Sequence, residues 1–126
     1  MPAASLVRGV YLIRLTAAEM GAGGFDDVEA SLRELFRALP EGIRGVLLDM
    51  EGVSLLRSSG LGALLSLCEQ LKPRGIRLAV CRVPSFGRNL FKISGLDQYL
   101  LVFATVEDGL NALGWGDAES ADVPEA

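Results

Sequence analysis

Between Arg44 and Met50 the chain reads RGVLLDM, a run that is apolar at nearly every position and too short to make a helix of ordinary length. A strand with one face in water alternates apolar and polar residues. A run without alternation suits a strand covered on both faces and paired in parallel within a sheet. Parallel neighbours cannot be joined by a tight turn; they need a crossover, usually a helix. This one segment therefore asks for a sheet layered with helices.

The rest of the chain supplies them. Gly9 to Leu15 (GVYLIRL) reads as a strand, with Leu6 and Val7 in a short strand before it. Phe25, Val28, Leu32, Leu35, Phe36 and Leu39 recur at helical spacing, so a helix is predicted from Phe25 to Leu39. Asp26 suits its N-cap, with Glu29 three residues on, and Pro40, Glu41 and Gly42 stop it. A second helix is predicted from about Ser59 to Lys72. Its buried stripe is Leu61, Leu64, Leu65, Cys68 and Leu71, and Pro73 and Gly75 end it. Ile76 to Arg82 is a third core strand. Pro84 and Ser85 open a short helix carrying Phe86, Leu90, Phe91 and Ile93, closed by Gly95, and Tyr99 to Phe103 is a short strand. Thr105, with Asp108 three residues later, caps a last helix that turns Val106, Leu110 and Leu113 to the core. Alternation of this kind predicts an α/β fold: one domain over residues 1–113, a mixed sheet of four to five strands, and about four helices packed against it. Residues 114–126 are acidic, small and unpatterned, and are expected to form a flexible tail.

Composition narrows the function. With 126 residues, half of them hydrophobic, the chain can bury a core without staples, and at 6% aromatics that core is mainly Leu, Val, Ile and Ala. The net charge is 12 − 16 = −4, which argues against a general nucleic-acid binder. Arg74, Arg77, Arg82 and Arg88 are spread over a helix end, a strand and a loop and read as ordinary solvated surface. Cys68 and Cys81 both sit in apolar runs, where a thiol behaves as a small hydrophobe, with no disulfide framework and no zinc spacing. The first residues, MPAASLVRG, lack the apolar core of a signal peptide, and no apolar run approaches the ~20 residues of a membrane span. A cytoplasmic protein without direct membrane insertion is expected.

The chain has no histidine. That removes Ser-His-Asp and Cys-His nucleophile systems, His-ligated metals and the usual general base. Asp49 has no clustered second carboxylate, so it reads as a residue holding backbone N–H groups in its turn, rather than a metal ligand or catalyst. No Walker loop and no G-x-G-x-x-G follow a strand; GAGG at Gly21 lacks the spacing and a lysine. No catalytic residue, metal or cofactor is assigned, and the chain does not read as an enzyme. Trp115 is expected to fold back on the core.

The informative stretch is GVLLDMEGVSLLRSSGLGALL, Gly45 to Leu65. A buried strand ends in Asp49, a turn passes Gly52, and a hydrophobic connector reaches Ser58-Ser59-Gly60, where a helix starts. Ser58 stands where an N-cap is required, and its hydroxyl there can accept from an orphan backbone N–H. The helix start also concentrates partial positive charge, and Gly60 and Gly62 leave the first turn bare, so another backbone or a phosphate can come close. A phosphoryl group on Ser58 would add about −1.5 to −2 charges, tolerable to the helix end but not to a partner surface shaped for a hydroxyl. Capping alone and capping with modification are both compatible with these residues.

This stretch resembles the signature of the STAS family, whose bacterial anti-sigma-factor antagonists carry a similar strand, an Asp, a hydrophobic connector, then Asp-Ser-Ser/Thr-Gly-Leu and a helix. The resemblance runs from about Gly9 to Leu113 and includes GIRLAV at Gly75 and LFKISGL at Leu90 to Leu96. It implies that the family's phosphorylated serine falls on Ser58. It implies also that the unphosphorylated protein binds an anti-sigma factor that is its serine kinase, of the histidine-kinase-like ATPase class, and that a phosphatase reverses the mark. The docking surface would comprise Arg57, Ser58, Ser59, Gly60, Leu61 and Gly62. Two features depart from the pattern. Arg57 stands where an acid usually precedes the serine, and the loop from Thr16 to Gly24 has Glu19 as its lone acid. STAS-like domains also serve as unphosphorylated scaffolds in stressosome-type assemblies and as accessory subunits of lipid transporters, which is the alternative role.

Overall fold

The computed structural model describes residues 3–15, 29–53 and 58–114. Strand β1 (Ala3–Val7) turns directly into β2 (Val10–Arg14) as an antiparallel hairpin, with Val7 paired to Val10. The two turn residues, Arg8 and Gly9, both have positive φ, +51° and +81°. A two-residue hairpin turn matched to the strand twist requires this, and Gly9 adopts it without penalty. The Arg8 guanidinium donates to Asn111 Oδ1 and Glu107 Oε2, both at 3.0 Å, tying the hairpin to the last helix.

Strands β3 (Gly45–Asp49), β4 (Arg77–Cys81) and β5 (Leu101–Phe103) then add in parallel, giving a sheet ordered β1-β2-β3-β4-β5. Every residue of β3 is buried, as its unbroken apolar run demands. The helices are α1 (Glu29–Arg37), α2 (Ser58–Leu71), α3 (Ser85–Ser94) and α4 (Val106–Leu113). Right-handed crossovers that always step the same way along a sheet stack their helices on one face. Accordingly Leu32 and Phe36 of α1, Leu64, Leu67 and Leu71 of α2, and Phe91 of α3 pack in one core with Ile13, Val46, Leu48, Leu78 and Val80. Among the described residues the other face carries α4 alone. There Leu110 and Leu113 meet Val10, Leu12, Leu47, Ala79 and Cys81, with Val106 packed at the edge. Gly109 makes this contact close: a Cβ there would stand 2.7 Å from both Leu47 δ-carbons. Thr105 Oγ1 accepts from Asp108 N–H at 3.0 Å, the cap its sequence spacing predicts.

One expectation shifts. Helix α2 fully buries Leu64, Leu67 and Leu71, while Leu61, Leu65 and Cys68 are half-buried at the edge of the core. With leucine at five of its fourteen positions α2 has two overlapping apolar stripes, and α1 together with the sheet selects between them. Arg33 of α1 donates to Ser66 Oγ at 2.8 Å and Gln70 Nε2 donates to the Arg33 carbonyl at 3.3 Å, so the polar side of α2 also faces α1. Of the apolar residues carried by α3, Phe91 is buried and Ile93 is 84% exposed. Phe25, Asp26, Val28, the loop Thr16 to Gly24, Trp115 and the tail lie outside the described residues.

Candidate functional site

The site expected from sequence lies where the parallel strands end and α2 begins. Register aligns the strand ends in one row across the sheet: Arg14 opposite Asp49, Asp49 opposite Cys81, Cys81 opposite Phe103. The ladder continues past Asp49, whose carbonyl accepts from Leu15 N–H at 3.1 Å, while Met50 N–H donates to the Cys81 carbonyl at 2.9 Å. A tight turn follows, closed by Val53 N–H on the Met50 carbonyl at 3.0 Å. This row and turn set the direction from which the chain approaches α2.

Asp49 is the buried charge of the row, 2% exposed. It does hold its turn, Oδ1 accepting from Glu51 N–H at 3.2 Å, as the sequence predicts. It is also clasped by arginine. Arg82 donates Nε to Oδ1 at 3.0 Å and Nη2 to Oδ2 at 2.5 Å, a two-pronged pair. Arg14 Nε stands 3.6 Å from Oδ2, and Glu51 Oε1 sits 3.0 Å from Arg82 Nη2. The hydrogen bond to Asp49 raises the Arg82 pKa and keeps the guanidinium charged. Arg82 reaches this position from a left-handed backbone, φ +55°, unusual for a residue with a side chain. Arg82 is thus not the solvated surface residue expected. Arg74 is exposed, as expected, but its guanidinium also donates to the Phe36 and Leu39 carbonyls at 2.8 and 2.9 Å, at and beyond the end of α1. The readable signal for Arg82 was the alignment of strand ends: Asp49 needs a cation, and the residue after Cys81 stands beside it.

Helix α2 starts at Ser58. The sequence places Ser58 one residue earlier, as the cap; a one-residue difference is within the ordinary ambiguity of a helix end. Gly60 is buried, Leu61 half-buried, and Gly62 exposed with nothing within 4 Å of where a Cβ would stand. The first turn of α2 thus offers accessible backbone at Gly62. Arg57 lies outside the described residues.

The buried thiol of the row is unreactive by environment. Burial pushes Cys81 up to about 12, the Asp49 carboxylate adding to the rise and Arg82 and Arg14 opposing it. Burial, then Glu69, pushes Cys68 up to about 11. From the ordinary value of 9.0 upward the unfolded chain releases these protons while the folded chain keeps them. The unfolded state then binds fewer protons, so stability from this source is intact below pH 9 and falls between pH 9 and 12, by at most about 1.4 kcal/mol per pH unit per thiol. Urea unfolding at pH 8 and pH 10.5 checks this: the wild type should lose more stability than the Cys68→Ala/Cys81→Ala variant.

Among the described residues no helix is long and apolar enough to cross a membrane, and no group of three or more Cys, Asp or Glu side chains is placed to hold a metal. The STAS domain family model matches residues 8–109. The chain belongs to the STAS family. Its fold is that of a Planctomyces limnophilus anti-sigma-factor antagonist (STAS) domain protein, at TM-score 0.76 and 18% identity over 89% of this chain and 97% of that one. The Bacillus cell fate determinant SpoIIAA in its phosphorylated form superposes at TM-score 0.60 and 21% identity, covering 89% and 98%. The murine anion transporter Slc26a9 contains the same fold in 18% of its length, matching 85% of this chain at TM-score 0.70 and 17% identity.

Proposed function

We propose that this STAS protein is an anti-sigma factor antagonist, a cytoplasmic protein-protein switch that acts by docking rather than by catalysis. In its unphosphorylated form it binds an anti-sigma factor that is also its serine kinase, of the histidine-kinase-like ATPase class. Phosphorylation of Ser58 releases it, and a phosphatase restores it. The observation that carries this reading is the start of α2 at Ser58, with the open, uncovered backbone of Gly62 one turn later. A partner can approach the backbone there, and a charge introduced at the helix start meets it directly. The docking surface comprises Arg57, Ser58, Ser59, Gly60, Leu61 and Gly62. The fold is shared with SpoIIAA, an anti-sigma factor antagonist with structures in unphosphorylated and phosphorylated forms, which supports the reading. Arg57, in place of the usual acid, would pair with the phosphate.

The test is affinity capture from the native cell, then binding of the captured kinase to purified variants. Ser58→Asp should weaken binding by roughly 30- to 150-fold, the ~2–3 kcal/mol expected when a charge is forced into an interface made for a hydroxyl. Ser58→Ala should stay near the wild type. Equal losses from both changes would defeat the phospho-switch. Gly62→Ala should leave the fold intact or raise its stability by up to about 1 kcal/mol, while lowering partner affinity. The second reading, an unphosphorylated scaffold or accessory subunit, draws on the STAS-like segment of the anion transporter. Recovery of a transporter ATPase in the same capture would favour it.

A further inference from the structure

A cavity of about 440 Å³ lies between the C-terminal half of α2 and the starts of β4 and β5, well separated along α2 from Ser58. Leu65 and Cys68 of α2, Ile76 and Leu78 of β4 and its approach, and Leu100 and Leu101 line it. These walls are aliphatic apart from one thiol, and Gly75 and the Gln98 amide complete the uncharged lining. The volume lies in the range of small-molecule sites, which are mostly apolar with a few polar groups at the mouth. The mouth here is charged: Lys72 and Arg77 border it together with Glu69, and neither cation has an acidic partner within ion-pair distance among the described residues. Tyr99, also at the mouth, is 67% exposed. An aromatic ring in water beside an aliphatic cavity is a surface that burial of an apolar group would cover.

We propose that this cavity binds an amphiphilic monocarboxylate: a small molecule with an aliphatic chain or ring in the cavity and one carboxylate at its mouth. Two cations against one carboxylate leave a single net positive charge there, which selects a monoanionic head over a neutral or dianionic one. The chain covers Leu65, Leu78 and Leu100 and displaces water from the lining. The head is met by Lys72 and Arg77 in partly exposed positions, so affinity falls with added salt. The site is independent of the docking surface at Ser58.

Dodecanoate is the probe, with dodecanol and dodecyltrimethylammonium as head-group controls, all below their micellar concentrations and followed by calorimetry on the full chain. Dodecanoate should bind with one-to-one stoichiometry and at least tenfold more tightly than either control. Lys72→Glu/Arg77→Glu should weaken dodecanoate at least tenfold and leave dodecanol unchanged. Leu65→Trp should fill the cavity and abolish binding, with circular dichroism verifying its fold. A second readout needs no variant: alkylation of Cys68 by iodoacetamide at pH 9 should slow several-fold at saturating dodecanoate. The proposal is overturned if dodecanoate does not bind. It is equally overturned if acid and alcohol bind alike, or if binding leaves Cys68 alkylation unchanged, which would put the ligand elsewhere.

Discussion

Arg82→Ala is expected to destabilise the fold by on the order of 3 kcal/mol, the scale for removing one partner of a buried ion pair. Asp49, at 2% exposure, would keep only Arg14 at 3.6 Å and the Glu51 N–H. The reverse change, Asp49→Asn, should cost less. Arg82 is about one-third exposed, keeps water, and retains Glu51 at 3.0 Å. Arg82→Gly separates the backbone from the side chain: at φ +55° glycine relieves a penalty of about 1 kcal/mol, so it should be that much less harmful than alanine. Urea denaturation at pH 7 ranks the three. Equal losses for Arg82→Ala and Asp49→Asn would show that the guanidinium contributes packing and not charge. Because this clasp joins the ends of three strands just before the connector to α2, its loss should also reduce partner affinity.

The second large effect is expected at Gly109. Leucine there has no space: even a Cβ meets the Leu47 δ-carbons at 2.7 Å and its Cγ at 3.3 Å. The helix must lift off the sheet and uncover a cluster that includes Val10, Leu12, Leu47 and Cys81, a loss above the roughly 1–3 kcal/mol typical of overpacking. Gly109→Ala sets about 1 kcal/mol of helix propensity against the same crowding and should be mildly destabilising. In a Leu47→Ala background the crowding is gone, so Gly109→Ala should become stabilising, and a double-mutant cycle measures the coupling. Additive effects of the two changes would contradict the close contact.

Much of this was legible in the chain. The unbroken run at Val46 to Leu48 asks for burial on both faces, and β3 is central and wholly buried. Thr105 and Asp108 announced the start of α4, since a cap is a local hydrogen bond between neighbours in sequence. The stripe of α2 was read in part: Leu64 and Leu71 are buried as expected, but Leu67 takes the place at its centre that Leu61, Leu65 and Cys68 were given, because a helix rich in leucine satisfies two periodicities at once and only its neighbours choose. The partners of Arg74 and Arg82 were missed for a related reason. A guanidinium's partner is found by where it reaches, and the partners, Phe36 and Leu39 for one and Asp49 for the other, lie more than thirty residues away.

The sequence by itself determined the layered fold, the family, and the place where Ser58 opens α2, because each follows from spacing within a dozen or so neighbouring residues. Tertiary structure alone decided that Asp49 is clasped by Arg82, that Gly109 lets α4 sit on Leu47, and that α2, β4 and β5 enclose a cavity. These depend on strand register and helix position, which bring distant residues within a few ångströms and leave no periodic mark in the chain.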